Sequence, residues 1–255
     1  MKIGFYNSTS LDDKKNWSGT MFKMYEQLLL LNYEVERVPK IYLESSENYK
    51  LKKIRRVYNK IFNRNYNLNV NIFSSKKIGK KLSHYLKEKD FDILFVPAQI
   101  NDFAYVKTKI PIIYLNDANT AQLFNYYPYY SGLGLLSKIE TKFIEKKALN
   151  KFKQIIYSSK WAADYAINSY KINRNKVNVI KLGANIEVPS KSEFVIKNLE
   201  SNIQFLFLAV DWNRKGGQIA LQTIEKLAYM GYDVKLKVVG CAPPRDSEVL
   251  EVIPF

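Results

Sequence analysis

The sequence predicts an α/β protein: a doubly wound parallel sheet, followed by one βαβ unit of a second sheet of the same kind. Short, continuously apolar segments such as Ile93-Leu94-Phe95-Val96 alternate with stretches whose apolar residues recur every three or four positions. That is the pattern of strands buried on both faces between covering helices. The rhythm breaks over 183–202, where Pro189, several serines and mixed charges intervene, and it restarts at Phe205-Leu206-Phe207-Leu208. With 255 residues, 47% of them apolar and only 10 Gly and 8 Pro, the chain can build a core and falls outside the disordered and collagen-like classes.

Lys2 to Tyr6 opens the chain as a strand. A polar loop leads to Trp17-Ser18-Gly19-Thr20, after which Met21, Met24 or Tyr25, Leu28 and Leu31 mark a helix. Glu34 to Val38 is a second strand, Ser74 or Ser75 caps a helix running to about Lys89, and Ile93 to Val96 is a third strand that stops at Pro97. Ile110 to Leu115 follows as a strand. Leu136, Ile139, Phe143 and Ala148 mark a long helix, and Gln154 to Tyr157 the next strand. Ser158 or Ser159 caps a helix over Trp161 to Tyr170, and Val177 to Leu182 is a strand again. After the break, Ala220, Ile224, Leu227 and Ala228 give a helix that stops at Gly231, and Val234 to Val239 is a strand. Three regions follow: 1–185 as the first domain, with a basic insertion at about 40–90; 186–202 as a linker; and 203–255 as an incomplete second domain.

The formal net charge is +16, and residues 48–87 hold twelve Lys and Arg with no Asp or Glu, so +12 of it comes from one segment. Leu51, Ile54, Val57 or Tyr58, and Ile61 recur there at helical spacing, with Lys52, Lys53, Arg55, Arg56 and Lys60 between them. A basic amphipathic helix of this kind suits an anionic lipid surface, and it equally describes the solvated face of a helix packed on its own domain. Tyr49, Tyr58, Phe62, Tyr66 and Phe73 interleave with the cations, but no helix-turn-helix, zinc-finger or RNP pattern accompanies them, so nucleic acid is not the expected partner.

The chemistry-bearing candidates lie at strand-to-helix junctions. Asp211-Trp212-Asn213-Arg214-Lys215-Gly216-Gly217 follows a buried strand and opens a helix. Free N–H groups and the dipole at a helix start favour an anion, glycine permits close backbone approach, and Arg214 and Lys215 add full positive charge. The same residues are also compatible with an ordinary exposed loop. Ser18, Gly19 and Thr20 hold the corresponding junction of the first domain, as ligand groups or as a cap. Asp117 lies just past a strand end, where open α/β sheets bind ligands and where turns also need Asp.

Other chemistries are poorly supplied. His84 is the only histidine, which leaves little for a histidine-based triad or a multi-histidine metal site. Asp90-Phe91-Asp92 precedes a buried strand and reads as a turn; Gly132-Leu133-Gly134 lacks the third glycine and the preceding strand of a dinucleotide fingerprint. Cys241 reads as a small core residue. The N-terminus has no secretory hydrophobic region, and no apolar run reaches the ~20 residues of a bilayer crossing, so the expected location is cytoplasmic; the membrane-binding alternative for the basic helix would add a peripheral place on the inner membrane face.

The segment Phe207 to Gly217, continuing through Val238-Val239-Gly240-Cys241 to Pro243-Pro244, resembles the start of the donor domain of retaining glycosyltransferases of family 4. Trp17-Ser18-Gly19-Thr20, Asn116-Asp117-Ala118-Asn119-Thr120, Tyr157-Ser158-Ser159-Lys160-Trp161-Ala162 and Leu182-Gly183-Ala184-Asn185-Ile186 are similar to the same family's acceptor-domain and hinge segments. The resemblance implies the GT-B fold of two facing Rossmann-like domains. It also implies transfer of a sugar from a nucleotide-diphosphate donor to a glycan or lipid-linked acceptor, with retention, without a metal or any cofactor. Arg214, Lys215 and Gly216, with Gly19, would then hold the donor phosphates; Ser18, Thr20 and Asn185 would line the cleft. Asp117 stands where many relatives carry a histidine near the reacting sugar. Relatives carry a glutamate pair further along the donor domain, and this chain ends first, so the expectation is a truncated transferase with little or no activity of its own. The alternative expectation is a non-catalytic membrane-surface-binding protein on the same scaffold.

Overall fold

A computed structural model describes residues 1–7, 16–186 and 203–253. The chain divides into two compact units, 1–187 and 188–255. Most of the expected linker, 187–202, lies outside the described residues.

The first unit is a six-stranded, all-parallel sheet. Its strands are β1 (Lys2–Tyr6), β2 (Glu34–Val38), β3 (Ile93–Pro97), β4 (Ile112–Asn116), β5 (Gln154–Tyr157) and β6 (Val177–Val179), in the spatial order β2-β1-β3-β4-β5-β6. Its helices are α1 (Thr20–Leu30), α2 (Ser45–Phe62), α3 (Ile72–Leu86), α4 (Leu135–Lys151) and α5 (Lys160–Tyr170). Successive residues of a strand face opposite ways. Leu94 and Val96 accordingly join the main core with Leu82 of α3 and Ile144 of α4, while Phe5 and Phe95 pack with Met21 of α1. Each fully buried Leu or Ile in such a core contributes roughly 1.5–3 kcal/mol.

Most elements form where the apolar spacing puts them, and the differences have local causes. α3 starts earlier than expected because Asn71, not Ser74 or Ser75, is its cap: the Asn71 side chain accepts the Ser74 N–H at 2.8 Å. Ser74 and Ser75 are buried in the first turn, where the Ser75 hydroxyl donates to the Asn101 carbonyl. Ser159 caps α5 by accepting the Ala162 N–H at 3.3 Å. β6 stops at Val179, three residues short of Leu182. Asp90 and Asp92 both meet Lys2, the first its ammonium at 2.6 Å and the second its backbone N–H at 2.7 Å, which makes them a turn into β3.

The basic region is two helices in the β2-to-β3 crossover, not one insertion. α3 is an integral covering helix, with Ile78, Leu82 and Leu86 buried. α2 buries less of its length, only Glu47, Leu51 and Tyr58, of which Leu51 and Tyr58 pack with Tyr66. Ile54, Val57 and Ile61, which the spacing places on the same apolar stripe, are exposed. α4 departs further. Of the four residues that mark this helix, Ala148 meets the core, whereas Leu136, Ile139 and Phe143 face solvent; Ser137, Thr141, Ile144, Glu145 and Leu149 complete the buried side.

The second unit is a three-stranded parallel sheet, β7 (Ile203–Leu208), β8 (Val234–Val239) and β9 (Leu250–Ile253), with β8 in the middle. Helix α6 (Gly217–Tyr229) connects β7 to β8, and a loop without a helix connects β8 to β9. Trp212, Leu221, Ile224, Val234, Leu236 and Val238 form its core. Among the described residues no helix is long and apolar enough to cross a membrane.

Candidate functional site

In the first unit, β1 sits between β2 and β3, so the connections that leave β1 and β3 diverge above their carboxyl ends. This is the switch point at which open α/β sheets bind ligands. A cavity of about 800 Å³ opens there. It is lined by residues that follow four of the six strands: Asn16 and Trp17 after β1, Lys40 and Ile41 after β2, Gln99 and Asp102 after β3, Asp117 and Ala118 after β4. Leu43, Leu51, Leu68, Val70 and Ile78 form an apolar wall, and Lys52 of α2 reaches the same cavity.

Several of the residues singled out by the sequence meet at this edge. Trp17 and Ser18 have left-handed backbones (φ 48° and 53°), and Gly19 continues the turn at φ 82° as the cap of α1. Non-glycine residues pay for such conformations, so the turn must be held from outside. The Asn185 side chain does so, donating to the Ser18 carbonyl and the Thr20 hydroxyl oxygen, each at 2.9 Å. The Trp17 indole N–H donates to Asp117 Oδ2 at 3.3 Å. Ser18, Thr20, Asn185 and Asp117 thus gather around one turn, although up to 167 positions separate them in sequence.

The segment after β4 is fixed by buried polar groups. The Glu145 carboxylate, fully buried in α4, accepts the N–H groups of Thr120 and Ala121 at 2.6 and 3.1 Å and the Tyr170 hydroxyl at 2.5 Å. Burial pushes its pKa up, and those donors pull the other way. Asn119 donates to the Ala162 carbonyl at 2.9 Å and accepts the Tyr157 hydroxyl at 2.5 Å. These bonds fix residues 119–121, directly after Asp117.

Sequence reasoning missed a cluster beneath this cavity. The Lys40 ammonium lies 2.6 Å from Asp102 Oδ2 and 3.3 Å from Gln99 Oε1, and the Tyr6 hydroxyl donates to the same Asp102 oxygen at 2.7 Å. Tyr6 is fully buried and Asp102 nearly so. Burial first, and then the Asp102 charge, raises the Tyr6 phenol far above its ordinary value, so it stays a donor. Polar residues at the ends of β1 and β2 were the available signal.

In the second unit, Arg214, Lys215 and Gly216 occupy the loop between β7 and α6. Asp211 Oδ1 accepts the Arg214 N–H at 2.9 Å, and Gly217 N–H closes the turn on the Trp212 carbonyl at 2.8 Å. Trp212 is buried against Phe207, ring centres 5.3 Å apart, and anchors the loop. Gly216 is required by its φ of 80°, since a Cβ there would meet open space. Arg214 and Lys215 are exposed, and Asp211 Oδ2 lies a loose 4.0 Å from the Arg214 guanidinium. Cys241 is half-buried against the second core, and burial followed by the Asp211 charge raises its thiol pKa. That is the opposite of an activated thiolate. Lys52, Lys53, Arg55 and Arg56 are all exposed on α2. Among the described residues no group of three or more His, Cys, Asp or Glu side chains is placed to hold a metal.

No family model matches the chain, and no curated protein matches it. Solved structures similar to it include a glycosyltransferase from Rickettsia africae ESF-5, at 12% identity and a TM-score of 0.47, covering 99% of this chain and 68% of that one. The glycotransferase of kitacinnamycin is similar at 8% identity and 0.48, covering 98% and 70%. The UDP-GlcNAc 2-epimerase from Methanocaldococcus jannaschii is similar at 14% and 0.48, covering 100% and 73%.

Proposed function

We propose that the chain belongs to a glycosyltransferase that moves a sugar from a nucleotide-diphosphate donor to a glycan or lipid-linked acceptor. The observation that carries this reading is the β7–α6 loop: two exposed cations in the turn that opens a helix, where the helix dipole favours an anion, at the carboxyl end of a parallel sheet. A diphosphate leaving group develops negative charge as the glycosidic bond breaks, and Arg214 and Lys215 would stabilise that charge. The resemblance of the Arg214 and Asp117 segments to family 4 supports two further parts of the reading: retention at the anomeric carbon, and phosphates held by side-chain cations without a metal.

The cavity of the first unit supports an amphiphilic acceptor. Its lining combines aliphatic side chains with Lys40, Gln99, Asp102 and Asp117, polar groups suited to sugar hydroxyls or a phosphate beside an apolar moiety. Asp117, steered by the Trp17 indole, is the group proposed nearest the reacting sugar.

Uridine diphosphate binding, measured by titration calorimetry without added metal, tests the donor half. Charge-assisted hydrogen bonds contribute about 1.5–3 kcal/mol each, so Arg214→Gln with Lys215→Gln should weaken binding by roughly 100-fold or more. Both side chains are exposed, so circular dichroism should stay unchanged. Equal affinity for the variant would remove the assignment. Adenosine and guanosine diphosphates in parallel identify the base.

A further inference from the structure

We infer that the outward face of α4, with the adjoining end of α2, is a docking surface for an anionic lipid bilayer. α4 is apolar on both sides. Its inner side meets the core, yet Leu135, Leu136, Ile139 and Phe143 on the outer side are 75, 51, 54 and 48% exposed. A lone exposed leucine is ordinary; four at helical spacing on one face are not. Lys142 and Lys146 are exposed on that same face.

The carboxylates of α4 do not offset this charge on the outside. Glu145 is buried, and Glu140 accepts the Tyr66 hydroxyl at 2.5 Å. The end of α2 is tied alongside: Asn65 N–H donates to the Gly132 carbonyl at 2.9 Å and Gly134 N–H to the Asn65 carbonyl at 3.0 Å. Ile61 and Phe62, 66 and 57% exposed, add apolar side chains near the start of α4, Phe62 packing on Tyr58, which abuts Gly134; Lys60 and Arg64 are neighbours in sequence.

Charge complementarity selects the occupant. Aliphatic and aromatic side chains flanked by lysines fit the headgroup–acyl boundary of a bilayer, with the ammonium groups on anionic headgroups. Lys60 and Arg64, at the end of α2 that is tied to the start of α4, belong to segment 48–87, which supplies +12 of the net +16. The α4 residues do not line the cavity of the first unit, so this surface is separate from the proposed acceptor site and does not depend on the transfer reaction. It also places the lipid contact on α4 as well as α2, whose Lys52 faces the cavity instead.

Co-sedimentation of the full chain with sucrose-loaded vesicles tests it, using phosphatidylcholine alone or mixed with phosphatidylglycerol. Binding is expected only to the mixed vesicles and should fall as salt is raised. Lys142→Gln with Lys146→Gln should lower the partition coefficient roughly 30-fold, from about a five-fold loss per lysine. Ile139→Ser with Phe143→Ser should abolish pelleting without loss of helical circular dichroism. Lys153→Gln with Lys181→Gln, equally exposed but elsewhere, should change it less than about two-fold. No binding to the mixed vesicles, or an equal loss in that control pair, overturns the inference. So does a dimer by light scattering that Ile139→Ser with Phe143→Ser dissociates, since a second copy would then be the occupant.

Discussion

The Lys40 ammonium lies 2.6 Å from the Asp102 carboxylate at the carboxyl edge of the first sheet, with the buried Tyr6 hydroxyl on the same oxygen. Asp102 is nearly buried, whereas Lys40 retains some solvent contact. Breaking a buried pair strands the more buried charge. Lys40→Met should therefore destabilise the first unit by about 3 kcal/mol in urea unfolding, and Asp102→Asn, which leaves a hydratable lysine, by less. Equal stability of Lys40→Met and the parent chain would show the pair to be energetically idle.

The Trp17-Ser18 turn makes a prediction of opposite sign. Ser18 has φ 53° and ψ 38°, a left-handed conformation that glycine adopts without a Cβ penalty. Ser18→Gly should raise stability by about 0.5–1 kcal/mol. Asn185→Ala removes the two hydrogen bonds that hold the turn and should lower it by about 1 kcal/mol. Thermal unfolding of both variants decides whether strain is stored here.

Gly134 and Tyr58 join α4 to α2 at close quarters. A Cβ on Gly134 would fall 1.9 Å from the Tyr58 hydroxyl, which cannot be accommodated without moving the ring. Gly134→Ala should cost about 1–3 kcal/mol. In a Tyr58→Leu background the same change should cost much less, and the coupling in a double-mutant cycle should exceed about 1 kcal/mol.

Glu47 predicts an acid limb. Its carboxyl is held at about 2, against an ordinary 4.5, by the Glu44 backbone N–H first and then by Lys81 and Lys77. A carboxylate with a depressed folded pKa contributes stability that is present above 4.5 and is lost as pH falls through about 2. Denaturant midpoints of the parent should fall across that window, and those of Glu47→Gln should fall less. Parallel curves for the two proteins would assign the acid limb to other groups.

Much of the scaffold is readable from apolar runs, because a parallel strand buried on both faces leaves no other pattern. β5 falls on the expected residues for that reason, whereas β8 does so on an alternating pattern, Val234, Leu236 and Val238 buried with Lys235 and Lys237 between them. α4 shows where the reading fails: of the four apolar residues that identify the helix only Ala148 meets the core, because its outer face carries more large apolar residues than its inner one. Ser18, Thr20, Asn185 and Asp117 were legible one motif at a time, but their convergence depends on a turn fixed by a residue far along the chain. Lys40 and Asp102 carry no motif, and only the strand order β2-β1-β3 brings them together.

The uneven cover of the second sheet has a kinetic consequence. Only α6 is described against β7, β8 and β9, and Leu206 and Leu208 of the edge strand remain 66 and 69% exposed. Amide protons of β7 should therefore exchange with deuterated solvent well before those of β1, β3 and β4, whose opening must disrupt the larger core between α3 and α4.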